Sequence, residues 1–195
     1  MGKEKYIKNI ESLFDKSSVV NYSSIEKIIK NKKNVKQYVK RFIGNLIKKG
    51  KVKRLTKGFY TIHDNVSLIV FCFQPAYFGL QDALSFHNLW EQETIPIVIT
   101  TRKIRPGIRK ILGKNVLIRR IERKYLFGIQ YYREDDIAIP YSDIEKTFID
   151  MVYFREKMSR DVINIFKKKI DRKRLDLYLR NYPKRIKKLV YNLYE

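Results

Sequence analysis

The stretch that decides the fold is Val35–Ile62, VKQYVKRFIGNLIKKGKVKRLTKGFYTI. Its first half repeats apolar residues at steps of three and four, which predicts an amphipathic helix with one buried face. The apolar positions are Val35, Val39, Phe42, Ile43, Leu46 and Ile47. The outward face of the helix carries Lys36, Gln37, Lys40 and Arg41. Gly50, preceded by two lysines, predicts the C-terminus of this helix, because glycine adopts the left-handed cap conformation and cations favour the negative end of the helix dipole.

The residues after Gly50 follow a different period. Val52 and Arg54 alternate, Gly58 marks a tight turn, and Phe59–Ile62 is rich in aromatic and β-branched side chains, which together predict a β-hairpin. The basic residues of this hairpin are Lys51, Lys53, Arg54 and Lys57. A cationic helix followed by a glycine and a basic hairpin is the order of the recognition helix and wing of a winged helix-turn-helix.

Two further helices are predicted before this stretch. The first covers about Lys3–Asp15, where apolar residues recur along one face. After a short extended segment around residue 20, Ser23 and Glu26 form a capping-box pattern for a helix that runs to residue 30. The polar linker that follows predicts a turn, with Asn34 as the N-cap of the next helix. We therefore predict that residues 1–63 form a winged helix-turn-helix DNA-binding domain.

The net charge of the chain is +23, and its distribution is uneven. Residues 1–63 carry 17 Lys and Arg against 4 Asp and Glu, a net charge of +13. Residues 154–195 carry 14 against 5, a net charge of +9, whereas residues 64–153 carry 12 against 11. A uniform solubilising coat would not leave the middle of the chain neutral. The pattern indicates two separate basic surfaces and a polyanionic partner, with double-stranded DNA as the first candidate.

Several classes of protein are disfavoured by composition. The sequence contains no apolar run long enough to span a membrane and no signal-peptide pattern at its start, so we expect a cytoplasmic protein without a membrane partner. Cys72 is the only cysteine, which excludes an intramolecular disulfide and any cysteine-rich zinc site. With only two histidines as well, we expect no metal site and no cofactor.

Residues 64–195 predict a second, α+β domain that ends in basic helices. Ser67–Phe73 is a continuous apolar run of the kind found in buried strands, and Tyr77–Leu89 has a helical pattern. Further strands are predicted at Ile95–Thr101, Asn115–Ile121, Phe127–Arg133 and Ile137–Ile139, with a basic connection over Arg102–Gly113. Four more helices are predicted: Asp143–Phe154 capped by Ser142, Arg160–Lys169 capped by Ser159, Arg172–Asn181 capped by Asp171, and a last one with Pro183 in its first turn. The predicted fold class is therefore α+β throughout.

Roles within the basic surfaces follow from side-chain chemistry. Gln37 and Arg41 are the candidates for base edges, because glutamine pairs with adenine and arginine with guanine, whereas the lysines are candidates for phosphates. The residues of the second basic surface are Lys168, Arg172, Lys184, Arg185 and Lys188. This surface is only a solvated helix face, extends a DNA footprint, binds RNA or binds an acidic face of a toxin, and the residues leave these alternatives open. The oligomeric state is equally open.

Enzymatic function is disfavoured by the spacing of the acidic residues. Asp135, Asp136, Asp143, Glu145 and Asp150 are the only dense carboxylate group, and such groups can hold Mg²⁺ for phosphoryl transfer. The spacing, however, matches neither a nuclease nor a nucleotidyltransferase, which would need a Gly-Ser ahead of an Asp-x-Asp pair. His87 has no partner that the sequence nominates, so a hydrogen-bonded structural histidine is expected there. We therefore predict no catalytic residues.

Four segments resemble one known family. They are KGKVKRLTKGFYTI, FGLQDALSFHNLWEQ, IPIVITTRKIRPG and IPYSDIEKTFIDMVYF, and the resemblance covers nearly the whole chain. They resemble the AbiEi-like antitoxins of type IV toxin–antitoxin systems, which join a winged-helix repressor to an antitoxin domain. His87 matches the family's His-Gly-Leu pattern, although Asn88 replaces the glycine, and Ile144–Thr147 with Asp150 resembles its Pro-Glu-Lys-Thr pattern. The resemblance implies autoregulation of an operon and neutralisation of a nucleotidyltransferase-like toxin.

Overall fold

A computed structural model describes residues 2–29, 34–134 and 136–195 of the chain. Helices and mixed sheets share the structure, so the predicted α+β fold class is confirmed. The predicted turn at residues 31–33 and the side chain of Asp135 lie outside the described residues. In the described part of the chain, no helix combines the length and the hydrophobicity needed to cross a membrane.

The contacts divide the chain into two units. One comprises Met1–Cys72 with Lys110–Lys114, and the other comprises Phe73–Arg109 with Asn115–Glu195. The sequence places the domain boundary earlier, between residues 63 and 64. The apolar segment that follows residue 63 belongs with the first unit because it packs against a strand of that unit's hairpin.

The first unit contains three helices and a small antiparallel sheet. In chain order these are α1 (Gly2–Lys16), β1 (Val20–Asn21), α2 (Tyr22–Ile28), α3 (Val35–Lys48), β2 (Lys53–Thr56) and β3 (Phe59–Thr61). The strands lie in the order β1-β3-β2, with Tyr60 opposite Val20 on one side and opposite Arg54 on the other. The core residues shared by all three helices and the sheet are Ile10, Phe14, Val20, Ile25, Ile29, Val39, Ile43, Leu46, Val52 and Tyr60.

The ends of α2 and α3 confirm one predicted cap and correct two. The Asn21 side chain, not Ser23, caps α2 by accepting from the Ser24 N–H at 2.8 Å. Asn34 occupies the N-cap position of α3, but its side chain makes no capping hydrogen bond. Gly50 has a φ of +67° and its N–H donates to the Ile47 carbonyl, so the predicted glycine terminus of α3 is confirmed.

The prediction of a strand at Ser67–Phe73 is wrong. Val66–Cys72 forms a 3₁₀ helix, in which Leu68, Ile69 and Val70 are buried. A short, uninterrupted apolar run satisfies burial in either conformation, and its periodicity does not separate them. The first strand of the following sheet comes later, at Ala76–Phe78.

The second sheet is mixed and has six strands. They are β4 (Ala76–Phe78), β5 (Ile97–Thr100), β6 (Gly107–Ile111), β7 (Lys114–Arg120), β8 (Ile129–Glu134) and β9 (Ile137–Ser142), in the order β6-β7-β5-β4-β9-β8. β4 pairs with β9 and β5 pairs with β7 in parallel, whereas β4–β5 and β8–β9 are antiparallel. The sequence analysis predicted a basic connection in the β6 region, because the adjacent Arg109 and Lys110 interrupt the alternation of apolar and polar residues that marks a strand.

Five helices accompany this sheet. They are α4 (Leu80–Phe86), α5 (Ile144–Tyr153), α6 (Arg160–Lys169), α7 (Arg172–Leu179) and α8 (Lys184–Tyr194). The predicted caps Ser159 and Asp171 are confirmed, since their side chains accept from the N–H groups of Val162 and Lys173. Asp143 rather than Ser142 caps α5, by accepting from the Lys146 N–H at 2.8 Å. α4 begins later than predicted because Ala76–Phe78 is a strand.

The three C-terminal helices are part of the second core. Phe166 of α6, Leu175 and Leu179 of α7 and Val190 of α8 are buried in one apolar cluster with Phe148 of α5. The basic segment predicted from residue 154 onward is therefore not an appendage. Removal of this segment would expose the buried apolar face of α5 to solvent.

Candidate nucleic-acid interface

α3 separates apolar and cationic side chains as its period predicts. Val39, Ile43 and Leu46 are buried in the first core. The opposite face is exposed, and it carries Lys36, Gln37, Lys40 and Arg41. The helix therefore presents three cations and one amide to solvent along a single face.

The β2–β3 hairpin carries a second set of cations. Gly58, with a φ of +83°, forms the turn, and the register shifts between Arg54 and Thr56. Leu55 and Tyr60 are buried, while Arg54 and Lys57 are exposed. The glycine is required at this turn because a side chain at positive φ is strained.

A groove lies between α3 and the hairpin, and we call it the α3–hairpin groove. It has a volume of about 690 Å³. Lys40 lines it from the helix, and Arg54 and Lys57 line it from the hairpin. The other lining residues are Tyr22, Ile43, Gly44, Ile47, Gly58 and Tyr60. Three cations that are separated in sequence thus border one concave surface, and none of the described residues that line it is acidic.

Tyr22 connects the two walls of this groove. Its backbone N–H donates to the Gly58 carbonyl of the hairpin turn at 2.7 Å, and its hydroxyl donates to the Lys36 carbonyl of α3 at 3.1 Å. Burial raises the pKa of the phenol, so the hydroxyl stays a donor at neutral pH. Sequence reasoning missed this residue, because a tyrosine in a polar segment carries no signal for a link between two later elements.

Two predicted DNA-binding lysines have carboxylate partners within the first unit. Lys51 lies 3.3 Å from Glu11, and half-buried Lys53 pairs with Asp64. Exposed ion pairs contribute only about 0–1 kcal/mol, so a phosphate can compete for either lysine. Lys40, Arg54 and Lys57 make no ion pair with any described residue, which leaves their charge available.

The second predicted basic surface divides in the structure. Lys168, Lys184, Arg185 and Lys188 are exposed on α6 and α8. Arg172 instead pairs with Asp176 at 3.3 Å, and its guanidinium lies over the rings of Tyr191 and Tyr194 at 5.0 and 5.1 Å. It therefore ties α7 to α8, in addition to any role at the surface.

Three of the carboxylates considered for catalysis, Asp143, Glu145 and Asp150, have protein partners. Asp143 caps α5 and accepts from the Tyr178 hydroxyl at 2.7 Å, and burial raises the pKa of its carboxyl. Glu145 accepts from the Asp171 N–H at 2.8 Å and lies 3.6 Å from Arg174. Within residues 2–29, 34–134 and 136–195, no three His, Cys, Asp or Glu side chains are grouped as a metal site would require.

Lys146 and Asp150 form a fully buried ion pair one turn apart on α5. The Tyr77 hydroxyl donates to Asp150 at 2.7 Å, and the Lys146 ammonium donates to the Tyr182 hydroxyl at 3.2 Å. Burial lowers the pKa of Lys146 and raises that of Asp150. The signal in the sequence was a lysine and an aspartate at an i, i+4 spacing in an otherwise apolar helix.

His87 follows the end of α4 and is half-buried. Its Nε2 lies 2.7 Å from the Ser142 carbonyl, to which it donates, and its ring packs edge-on against Phe86. The structure thus provides the hydrogen-bonded histidine that the sequence predicts. This hydrogen bond positions β9 against the end of α4.

No protein-family model and no curated protein sequence matches the chain. Among solved structures, the fold is similar to the RV2827C protein from Mycobacterium tuberculosis, with a TM-score of 0.62. The similarity covers 97% of this chain and 76% of that one, at 11% sequence identity. At this identity the likeness is one of fold alone.

Proposed function

We propose that this chain is a DNA-binding transcriptional repressor that uses its first unit as a winged helix-turn-helix. The observation that carries the proposal is the α3–hairpin groove, where Lys40, Arg54 and Lys57 border one surface without an acidic neighbour among the described lining residues. The order of helices and strands, with α3 followed by a two-stranded hairpin, also agrees with this class.

In the proposed complex the two elements have different roles. α3 enters the major groove, where Gln37 and Arg41 contact base edges and Lys36 contacts phosphate. The hairpin holds the adjacent backbone through Arg54 and Lys57, and Lys51 and Lys53 exchange their carboxylate partners for phosphates. Phosphate contacts provide most of the affinity, whereas the two base-facing side chains provide the discrimination between sites.

The test is a titration of the purified full chain with a labelled duplex from its own promoter region and with a scrambled duplex of equal length. We expect tighter binding to the promoter duplex. If about six phosphates are neutralised, affinity should fall roughly a thousandfold between 50 and 200 mM salt. Equal affinity for the two duplexes across this salt range would remove the repressor proposal.

We further propose, from the family resemblance, that the repressor is the antitoxin of a type IV, AbiE-like system and autoregulates its operon in the cytoplasm. The partner would be a nucleotidyltransferase-like toxin, and the role requires no catalysis and no cofactor. The motif that supports this is Ile144–Thr147 with Asp150, in which Lys146 and Asp150 are buried together. Co-expression with a neighbouring nucleotidyltransferase reading frame tests it: growth should be restored by this chain, and a failure to restore it contradicts the antitoxin role.

A second candidate function is binding of RNA or an acidic protein by the C-terminal helices. Leu177 and Leu189 support it, since they are 54% and 41% exposed on helices rich in lysine and arginine. Because α6–α8 supply core residues, deletion of residues 154–195 would unfold the second unit and is uninformative. Substitution of Lys168, Lys184, Arg185 and Lys188 by glutamine keeps the core. Loss of nucleic-acid binding in that variant favours the second candidate over the first.

A further inference from the structure

Gly44 lies at the centre of the exposed face of α3. Lys40 and Arg41 precede it by four and three residues, and Ile47 and Lys48 follow it by three and four. Residues at these spacings are neighbours on a helix surface. Every neighbour of Gly44 on this face therefore has a long side chain, and the glycine leaves a gap between them.

No described residue of the first unit requires a glycine at this position. A Cβ added to Gly44 meets no atom within 4 Å, so no packed neighbour excludes a side chain. The residue lies inside a regular helix, and its φ is not in the left-handed region that favours glycine. Glycine weakens a helix interior relative to alanine, so the residue costs stability without an internal return.

The position of Gly44 in the α3–hairpin groove supplies a reason. The glycine forms part of the floor together with Ile43, Ile47 and Tyr60, while Lys40, Arg54 and Lys57 stand around it. Ile47 is 38% exposed, an apolar surface beside cations. An apolar floor with no side chain at Gly44, between charges from two elements, fits a chain molecule with repeated negative charges and apolar rings between them.

We propose that one sugar-phosphate strand of the bound duplex lies in this groove, with Gly44 as the point where it contacts the helix backbone. Its phosphates bind Lys40, Arg54 and Lys57, and its deoxyribose rings pack against Gly44 and Ile47. This inference deepens the proposed DNA-binding function and rests on it. Gly44 is a positioning residue: it forms no bond of its own, and it sets how closely the strand approaches the three cations.

The test uses Gly44→Ala and Gly44→Leu in the full chain, with Asn45→Leu as the control. Asn45 is the next residue on α3, is exposed and does not line the groove. The added Cβ enters open space, and alanine and leucine are better helix formers than glycine, so both variants should fold. We expect Gly44→Ala to raise Tm by about 1–4 °C. Gly44→Leu should weaken binding to promoter and scrambled duplexes alike, by about 10–100-fold, because the strand loses a charge-assisted contact.

The expected changes in stability and in DNA binding have opposite signs, because a variant that gains stability loses binding. This result distinguishes a role of Gly44 at the DNA from a structural role in the fold. If wild type binds DNA and both Gly44 variants bind it equally well, the inference is wrong while the proposed function stands. If wild type binds neither duplex, the proposed function fails and the inference fails with it. An equal loss in Asn45→Leu would also overturn the inference, because the groove would then not be the cause. If the Gly44 variants lost binding to poly-glutamate but kept binding to both duplexes, the inference would also be wrong. The occupant of the groove would then be an acidic peptide.

Discussion

Substitution of Lys146 by methionine should destabilise the second unit by removing one charge from a fully buried pair. Lys146 and Asp150 are both 0% exposed, and the Lys146 ammonium lies 5.3, 5.6 and 6.0 Å from the ring centroids of Tyr77, Phe127 and Tyr182. Methionine conserves most of the volume of the lysine side chain, so the cost comes from the carboxylate left without its cation. Breaking a buried pair on one side typically costs about 3–5 kcal/mol. For a chain of this size that is a decrease in Tm of about 6–20 °C.

The cost should depend on pH in a defined direction. Burial raises the pKa of Asp150, and removal of the neighbouring ammonium takes away an influence that lowers it. A carboxyl whose folded pKa lies above its unfolded value stabilises the fold when protonated, and this stability is lost as pH rises through the folded pKa. In Lys146→Met, the free energy of unfolding should therefore fall from pH 5 to pH 8. The double variant Lys146→Met/Asp150→Leu should recover much of the loss and show no more pH dependence than the wild type.

The sole tryptophan of the chain allows unfolding of the second unit to be measured specifically. Trp90 packs against the core cluster of the second unit, so its fluorescence during urea or thermal unfolding follows that unit. Asp176→Asn, on the surface pair with Arg172, is the matched control and should cost about 1 kcal/mol or less. A cost below 1 kcal/mol for Lys146→Met at pH 7, or a cost independent of pH, would refute the argument that burial controls this pair.

Three further predictions concern other described residues. Burial raises the pKa of half-buried Asp82 to about 7, so wild-type stability should fall as pH rises from about 4 to about 7. Thermal unfolding of Asp82→Asn should lack this slope, and parallel curves of Tm against pH for the two proteins would contradict the prediction. Tyr22→Phe removes the hydroxyl that donates a hydrogen bond to α3, so it should lower the free energy of unfolding by about 0.5–1.5 kcal/mol and weaken binding to every duplex. The control Tyr131→Phe, at a side chain that is 69% exposed, should change neither, and the reasoning fails if the two variants behave alike in urea unfolding and DNA titration. Arg41→Ala should reduce the ratio of affinities for promoter and scrambled DNA, whereas Lys57→Ala should weaken binding to both duplexes equally and lower the slope of log affinity against log salt concentration by about 1. Identical effects of the two substitutions in fluorescence anisotropy would count against the assigned roles.

The elements that the sequence predicted well are those in which local chemistry and tertiary packing agree. α3 has a long amphipathic period and a glycine at its end, and the hairpin has a glycine where its turn needs a positive φ. Ser159 and Asp171 cap helices whose first turns follow at once, so three or four residues contain the whole signal. No distant contact is needed to form any of these elements.

The elements that the sequence missed depend on distant contacts. Residues 66–72 are apolar at every position but one, and burial alone does not distinguish a 3₁₀ helix from a strand. Ala76–Phe78 is a strand because it lies between β5 and β9, and β9 lies some sixty residues further along the chain. The link from Tyr22 to α3 and the pairing of Lys146 with Tyr182 are equally invisible to any local pattern.

The charged side chains of the two units differ in burial and in their partners, and this difference bears on function. In the second unit, Asp143, Glu145, Lys146 and Asp150 are buried and satisfied by named hydrogen bonds, which fix the position of α5 among its neighbours. In the first unit, the groove on the α1 side includes Glu11 and Asp15 beside Lys51. The α3–hairpin groove holds three cations and, among its described lining residues, no carboxylate. Like charges on one concave surface repel each other, and this repulsion lowers the stability of the isolated unit. A polyanion that binds there relieves the repulsion, so the same arrangement that costs stability in the free protein adds to its affinity for DNA.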